Sequence, residues 1–266
     1  MTNTEELLRT KEDGIVILTL NRPDRMNSIT TTMYHKLIQI LKEADDDDSV
    51  KVLIITGAGR GFCAGSDIGD RLAARIAGEK IETTRKELIE PVGFVALHIH
   101  NFGKPIIAAI NGATVGAGLS IASLCDIRIA SEKAKFGAAW SKVGLIPDVG
   151  ATYSLPRLIG PDKTLELFFS GDIIDAQEAK SIGLVTRVVP HDDLMKICLE
   201  LAQKITDGPS VAIELAKRAI YRGLHNDLEK QLDFESYAQN LCRTTSDHQE
   251  GVKAFVEKRT PLFKGS

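Results

Sequence analysis

GIVILTL at 14 to 20, then Met33, Leu37, Ile40, Leu41 and Ala44 along one helical face, then KVLIIT at 51 to 56, decide the fold class. Short β-branched runs that alternate with helical periodicity make the chain α/β, with at least part of its sheet buried. Further strands are expected at PIIAAIN (105 to 111), DIRIA (126 to 130) and LVTRVVP (184 to 190). The stretch from about 70 to 100 is rich in Arg, Glu and Lys and reads as a helix reached through a mobile segment, of the kind that borders ligand sites. From Ala176 onward helical patterns dominate, in DAQEAKSIG, DDLMKICLELAQKI and PSVAIELAKRAIYRGL. A soft boundary near residue 195 therefore divides a core, 1 to 195, from a helical region, 196 to 266. The acidic run Asp45 to Asp48 reads as a solvated turn between helix and strand.

The 266 residues, 43% hydrophobic and 26% charged, suit a globular protein with a substantial core. A formal charge of −3 and a pI near 6.1 give no electrostatic reason to expect nucleic acid. Cys63, Cys125, Cys198 and Cys242 form no CxxC pair, so neither a zinc site nor a redox disulfide is expected, only packed, reduced thiols. The polar start MTNTEELLRTKEDG lacks the marks of a secretory signal, and no apolar run is long enough to span a membrane. A cytoplasmic protein without membrane partners is expected.

Two glycine-rich turns carry chemical interest. ITGAGRGFCAGSDIGD follows a strand, and Gly57, Gly59, Gly61 and Gly65 let its backbone turn tightly. Phe62 follows the third glycine where a dinucleotide fingerprint would open a helix, so that reading is rejected. INGATVGAGLSIASLCDI runs from a strand through Gly112, Gly116 and Gly118 into an apolar helix from Leu119 to Cys125. Free N–H groups at a helix start suit an oxyanion developing on a carbonyl. Close helix-to-strand packing through small residues accounts for the same glycines equally well.

NRPDRMNS (21 to 28), GAGRGFCAGSDI (57 to 68), INGATVGAGLSIASLCDIRIAS (110 to 131) and KFGAAWSKVGLIPDVGATYSLPRLIG (135 to 160) together resemble the enoyl-CoA hydratase/isomerase (crotonase) family. The likeness continues through GDIIDAQEAKSIGLVTRVV (171 to 189) and EGVKAFVEKRTPLFKG (250 to 265), nearly the whole chain. It implies a spiral of β-β-α turns, a C-terminal helical region that builds a homotrimer or homohexamer, and an acyl-CoA thioester as substrate. Coenzyme A would then be part of the substrate, with no metal or other cofactor. The two backbone N–H groups that bind the thioester oxygen map onto Ser66 and Ala117. Arg25, Met26, Ala64, Asp67, Ile68 and Trp140 map onto the substrate channel, and Phe255 and Lys258 onto a contact with a neighbouring subunit's ligand.

The carboxylates choose the reaction. The two glutamates with which hydratases of this family activate water correspond to Ser120 and Trp140, and neither side chain is a base at neutral pH. Asp148 in GLIPDVGA stands where ordinary hydratases carry glycine. One carboxylate suffices for a 1,3-proton shift, so double-bond isomerisation is expected, with Asp148 as acid and base. Free aspartate has a pKa of about 3.9, and burial among Trp140, Val143, Leu145 and Ile146 is expected to raise it. Asp148 also fits a turn or cap role after Pro147. IPD at 146 to 148 resembles the 1,2-epoxyphenylacetyl-CoA isomerase subgroup, which adds ring-epoxide isomerisation to the expected chemistry. The lesser alternatives are a hydratase; an aryl-CoA dehalogenase, whose water-activating histidine would fall at Gly93; and a non-catalytic RNA-binding or scaffold member.

Overall fold

The computed structural model describes residues 5 to 67, 69 and 91 to 266. Its first half is built on a repeated order of strand, strand, helix. After the hairpin β1 (Leu7–Glu12) and β2 (Ile15–Leu20) comes helix α1 (Thr31–Asp46). The pairs β3 (Val52–Gly57) and β4 (Gly61–Cys63), β5 (Ile106–Ile110) and β6 (Ala113–Val115), and β7 (Ile127–Ser131) and β8 (Lys135–Gly137) follow. Helix α2 (Val92–Asn101) precedes the second pair, and α3 (Ala117–Leu124) separates the second from the third. The first strand of each pair joins a six-stranded sheet and the second joins a smaller four-stranded one. Each β-β-α turn thus stacks on the one before, which is the spiral the resemblance implied.

Then come α4 (Ala151–Ile159), α5 (Pro161–Ser170), β9 (Ile173–Asp175), α6 (Ala176–Ser181), β10 (Arg187–Val189) and α7 (Leu194–Thr206). The chain closes with α8 (Ser210–Gly223), α9 (Leu228–Arg243) and α10 (Ser246–Glu257). The large sheet runs β1-β2-β3-β5-β7-β10 and the small one β4-β6-β8-β9. The β1–β2 and β8–β9 pairs are antiparallel and the others parallel.

Side chains alternate across a strand, so a strand covered on both faces reads as a continuous apolar run. In β3, Leu53 and Ile55 enter the main core, while Val52 and Ile54 face the other way. There they meet Ile107, Ala109 and Ile129 under Leu194, Cys198 and Ala202 of α7. The boundary read near residue 195 falls at the start of this covering helix. Helix α1 buries Met33, Tyr34, Leu37, Leu41 and Ala44, the face read from the sequence with Tyr34 added and with Ile40 only partly buried at its edge.

Several local readings change. The acidic run is not a free turn: α1 continues through Asp46, and the Lys104 ammonium caps its end by donating to the carbonyls of Ala44, Asp45 and Asp47. The strand expected at 184 to 190 narrows to Arg187–Val189, with Leu184 and Val185 buried before it. Of the 70 to 100 stretch, residues 91 to 100 are described and α2 begins at Val92, whereas 70 to 90 lie outside the described residues. The four cysteines are free, and only Cys242 is not buried. Burial pushes the thiols of Cys63, Cys125 and Cys198 up to about 12. A maleimide at neutral pH should therefore label Cys242 alone in the native protein and all four after denaturation. Equal labelling rates in the native state would contradict this packing. Among the described residues no helix is long and apolar enough to cross a membrane.

Candidate active site

The two glycine-rich turns meet. Gly65 has φ +106, a left-handed value that favours glycine, and a Cβ there would stand 3.2 Å from the Val115 carbonyl oxygen and 3.6 Å from the Ala117 nitrogen. The Gly65 carbonyl accepts the Ile29 N–H at 2.8 Å, and the Asp67 N–H donates to the Ile29 carbonyl at 2.9 Å. A trans peptide sets its N–H opposite its carbonyl, so the Ser66 N–H points away from Ile29. It has no acceptor among the described residues.

On the other side Gly116, with φ +54, caps α3, and its carbonyl accepts the Ser120 N–H at 3.0 Å. That leaves the Ala117 N–H free at the positive end of the helix. The helix begins at Ala117, two residues earlier than the apolar pattern indicated, because β6 takes up Ala113–Val115. Gly118 brings α3 onto β4: a Cβ there would collide with the Cys63 carbonyl oxygen and stand 2.7 Å from the Cys63 Cβ. The glycines therefore serve both readings at once, close packing and free donors.

Ser120, Trp140 and Asp148 converge at this helix. Trp140, 5% exposed, donates its indole N–H to Asp148 Oδ1 at 2.9 Å. Fully buried Ser120 donates its hydroxyl to the Asp148 carbonyl at 2.9 Å, which ties the IPD turn to α3 one helical turn beyond Ala117. Asp148 Oδ2 has no partner among the described residues. The turn reading of Asp148 has support as well, since its carbonyl accepts the Ala151 N–H at the start of α4.

The apolar wall expected around Asp148 is corrected. Val143, Leu145 and Ile146 are 53%, 56% and 76% exposed, because Ser141–Val143 form a 3-10 turn and the segment then runs over the surface through left-handed Gly144. Trp140 alone of the four is buried.

The NRPDRMNS segment is held by Asn27, fully buried, whose amide donates to the carbonyls of Ala58 and Gly61. This sets Arg25, exposed, and Met26 beside Ala64, whose N–H donates to the Met26 carbonyl. The Asp67 carboxylate accepts from Arg22 at 2.9 Å, from the Ser28 hydroxyl and from the Gly69 N–H. Ile68 lies outside the described residues. Phe255, 86% exposed, and Lys258 stand at the exposed end of α10. The cavity that Phe255 lines, about 350 Å³, is walled by Pro209, Cys242, Val252 and Phe263, away from the Ser66 and Ala117 turns. Of the two histidines after Gly93, His98 bonds the Phe94 carbonyl within its own helix, and His100 packs edge-on against Tyr153 and Tyr221.

Sequence reasoning missed Tyr34, whose hydroxyl meets the Ser66 hydroxyl at 2.8 Å, and Arg22, which bridges Glu6 and Asp67. The signal for Tyr34 was its place beside Met33 on the buried face, where a phenol needs a polar partner.

Residues 10–266 match the enoyl-CoA hydratase/isomerase family. The chain is 38% identical to the 1,2-epoxyphenylacetyl-CoA isomerase of Escherichia coli K12 over 98% of its own length and 99% of the relative's. It is 35% identical to the 2,3-dehydroadipyl-CoA hydratase of the same organism, over 98% and 99%. The solved structure of an enoyl-CoA hydratase from Bacillus anthracis superposes with a TM-score of 0.89 at 35% identity, covering 98% of this chain and all of that one. With the spiral of β-β-α turns and the paired glycine turns already described, these matches show that the chain belongs to the enoyl-CoA hydratase/isomerase family.

Proposed function

We propose that the chain is an acyl-CoA isomerase that converts a 3-enoyl-CoA to a 2-enoyl-CoA, or isomerises a ring epoxide, with Asp148 as the only proton carrier. The observation that carries this reading is the Trp140 hydrogen bond to Asp148 Oδ1, which orients the carboxylate and leaves Oδ2 available, while the Ser120 hydroxyl ties the Asp148 main chain to α3 one helical turn beyond Ala117. Oδ2 takes a proton from the α carbon of a 3-enoyl thioester. The C–H electron pair moves into the conjugated system and charge develops on the thioester oxygen, which accepts from the Ser66 and Ala117 N–H groups. The dienolate collapses as Asp148 returns the proton to the γ carbon, so no atom is gained or lost. A ring-epoxide thioester would use the same oxyanion donors. The reaction calls on no metal or redox cofactor, and we place the protein in the cytosol.

Hydration is the second reading, supported by relatives named as hydratases. Ser120 and Trp140 oppose it, since neither can activate water. Incubation with 2-enoyl, 3-enoyl and ring-epoxide thioesters tests the choice, with products identified by mass and ultraviolet absorbance. Isomerisation leaves the mass unchanged, whereas hydration adds one water. Ser120→Glu with Trp140→Glu should confer measurable hydration of a 2-enoyl-CoA; a double variant that folds, binds thioester and hydrates nothing would contradict the assignment of those positions.

A trimer-based assembly belongs to the same proposal. Ile220, Leu224, Leu228, Leu232, Tyr237 and Val256, on and between α8 to α10, are at least half exposed, apolar side chains that neighbouring subunits would cover. Sedimentation at micromolar concentration should give a trimer or hexamer, and a strictly monomeric boundary would contradict it.

A further inference from the structure

We propose that Tyr34 is a positioning residue for the oxyanion hole, acting through the side chain of the very residue whose backbone N–H is the donor. This rests on the oxyanion reading of Ser66 given above, but on neither choice of isomerase or hydratase.

The Ala117 donor is held by the regular geometry of α3, so its direction is set by the helix itself. The Ser66 donor has no helix behind it and is carried by the Gly65–Ser66 peptide plane, held at its other edge where the Gly65 carbonyl accepts the Ile29 N–H. It follows Gly65, at φ +106, and its strand contact is a single parallel bridge to Ile29. The bonds at Ile29 fix the Gly65 carbonyl and the Asp67 N–H, the groups on either side of Ser66. Those bonds set the direction of the Ser66 N–H; what they leave open is the position of the Ser66 Cα that carries it, which can shift toward or away from Ala117. The Tyr34 hydroxyl, 2.8 Å from Ser66 Oγ, holds the Ser66 side chain and with it restrains that shift. Tyr34 is itself a rigid anchor, 1% exposed among the core side chains of α1. Helix α1 starts two residues after Ile29, with the Thr30 hydroxyl accepting the Met33 N–H. Residues 29 to 34 therefore grip Ser66 from both its backbone neighbours and its side chain. An oxyanion donor contributes only when aimed at the developing charge, and a misplacement of an ångström or less is costly. A buried phenol in direct contact with a backbone donor's own side chain is therefore placed to set the polarising strength of the hole.

The test uses Tyr34→Phe, Ser66→Ala and the double variant in the full-length protein, with melting temperature as the control for folding. The infrared carbonyl stretch of a bound saturated acyl-CoA reports how strongly the thioester is polarised, and needs no turnover. In Tyr34→Phe the shift of that band to lower frequency on binding should shrink. Turnover of whichever thioester the wild type converts should fall about 10- to 100-fold in kcat, with KM changed less than about threefold. Because Tyr34 acts through Ser66 Oγ, the double variant should be no slower than the slower single one. A folded Tyr34→Phe with the wild-type carbonyl shift would overturn the proposal, as would kcat losses that multiply in the double variant. Failure of the isomerase reading is separate: it would appear as a hydrated product, with the carbonyl shift and its dependence on Tyr34 intact.

Discussion

Asp148→Asn should lower isomerase turnover by about 10²- to 10⁴-fold while the fold and thioester binding persist. The substitution keeps the size of the side chain, and its amide oxygen can still accept the Trp140 indole N–H found at 2.9 Å from Oδ1. The bonds that the Ser120 hydroxyl and the Ala151 N–H donate to the Asp148 carbonyl are untouched. What disappears is the only group in this cluster able to take up and return a proton. The loss should fall on kcat, with KM nearly constant, because in the proposed mechanism the Ser66 and Ala117 N–H groups hold the thioester whether or not the base is present. A kcat within threefold of wild type would move the proton transfer to another residue. The next candidates from the sequence are Glu87 and Glu90, which lie outside the described residues.

The second large effect is structural. Gly118→Ala should destabilise the protein by about 3 kcal/mol, an extreme case of overpacking, and lower its melting temperature by on the order of 10 °C. The added methyl group meets the carbonyl oxygen and Cβ of Cys63, part of buried β4, so neither side can swing a flexible side chain away. Relief requires α3 to move off β4, which separates Ala117 from Ser66. Activity should consequently fall more than the loss of folded protein accounts for. Calorimetry and kcat on the same preparation check both parts, and a variant with wild-type melting and turnover would contradict the close approach.

These two sites were legible in the sequence to different degrees. The long strands and α1 were readable because their apolar residues repeat at periods of two and of about 3.6. The short strands β4, β6, β8 and β9 were not, because three residues carry no period. Their place in a second sheet follows from the stacking of turns, which only the family resemblance implied. The meeting of Gly65 with Gly116 and Ala117 belongs to the same tertiary level: each turn alone admitted an ordinary packing role. Asp148 stands out in the sequence through a pattern of missing carboxylates, a pattern that carries no information on its surroundings. Val143, Leu145 and Ile146 were counted as a wall from their hydrophobicity, whereas a 3-10 turn and a left-handed glycine carry them along the surface. Hydrophobic residues in a loop do not reveal which way the loop faces. Tyr34 and Ser66 are 32 residues apart, and nothing local to either predicts the contact.

In the mechanism proposed above, a single carboxylate shifts a proton from the α to the γ carbon without adding water. Conversion of a 3-enoyl-CoA in deuterium oxide, followed by proton NMR, reads that shift. The product should be 2-enoyl-CoA, with partial deuterium at the γ carbon where the carried proton exchanges with solvent before its return. Accumulation of a 3-hydroxyacyl-CoA as the main product would contradict it.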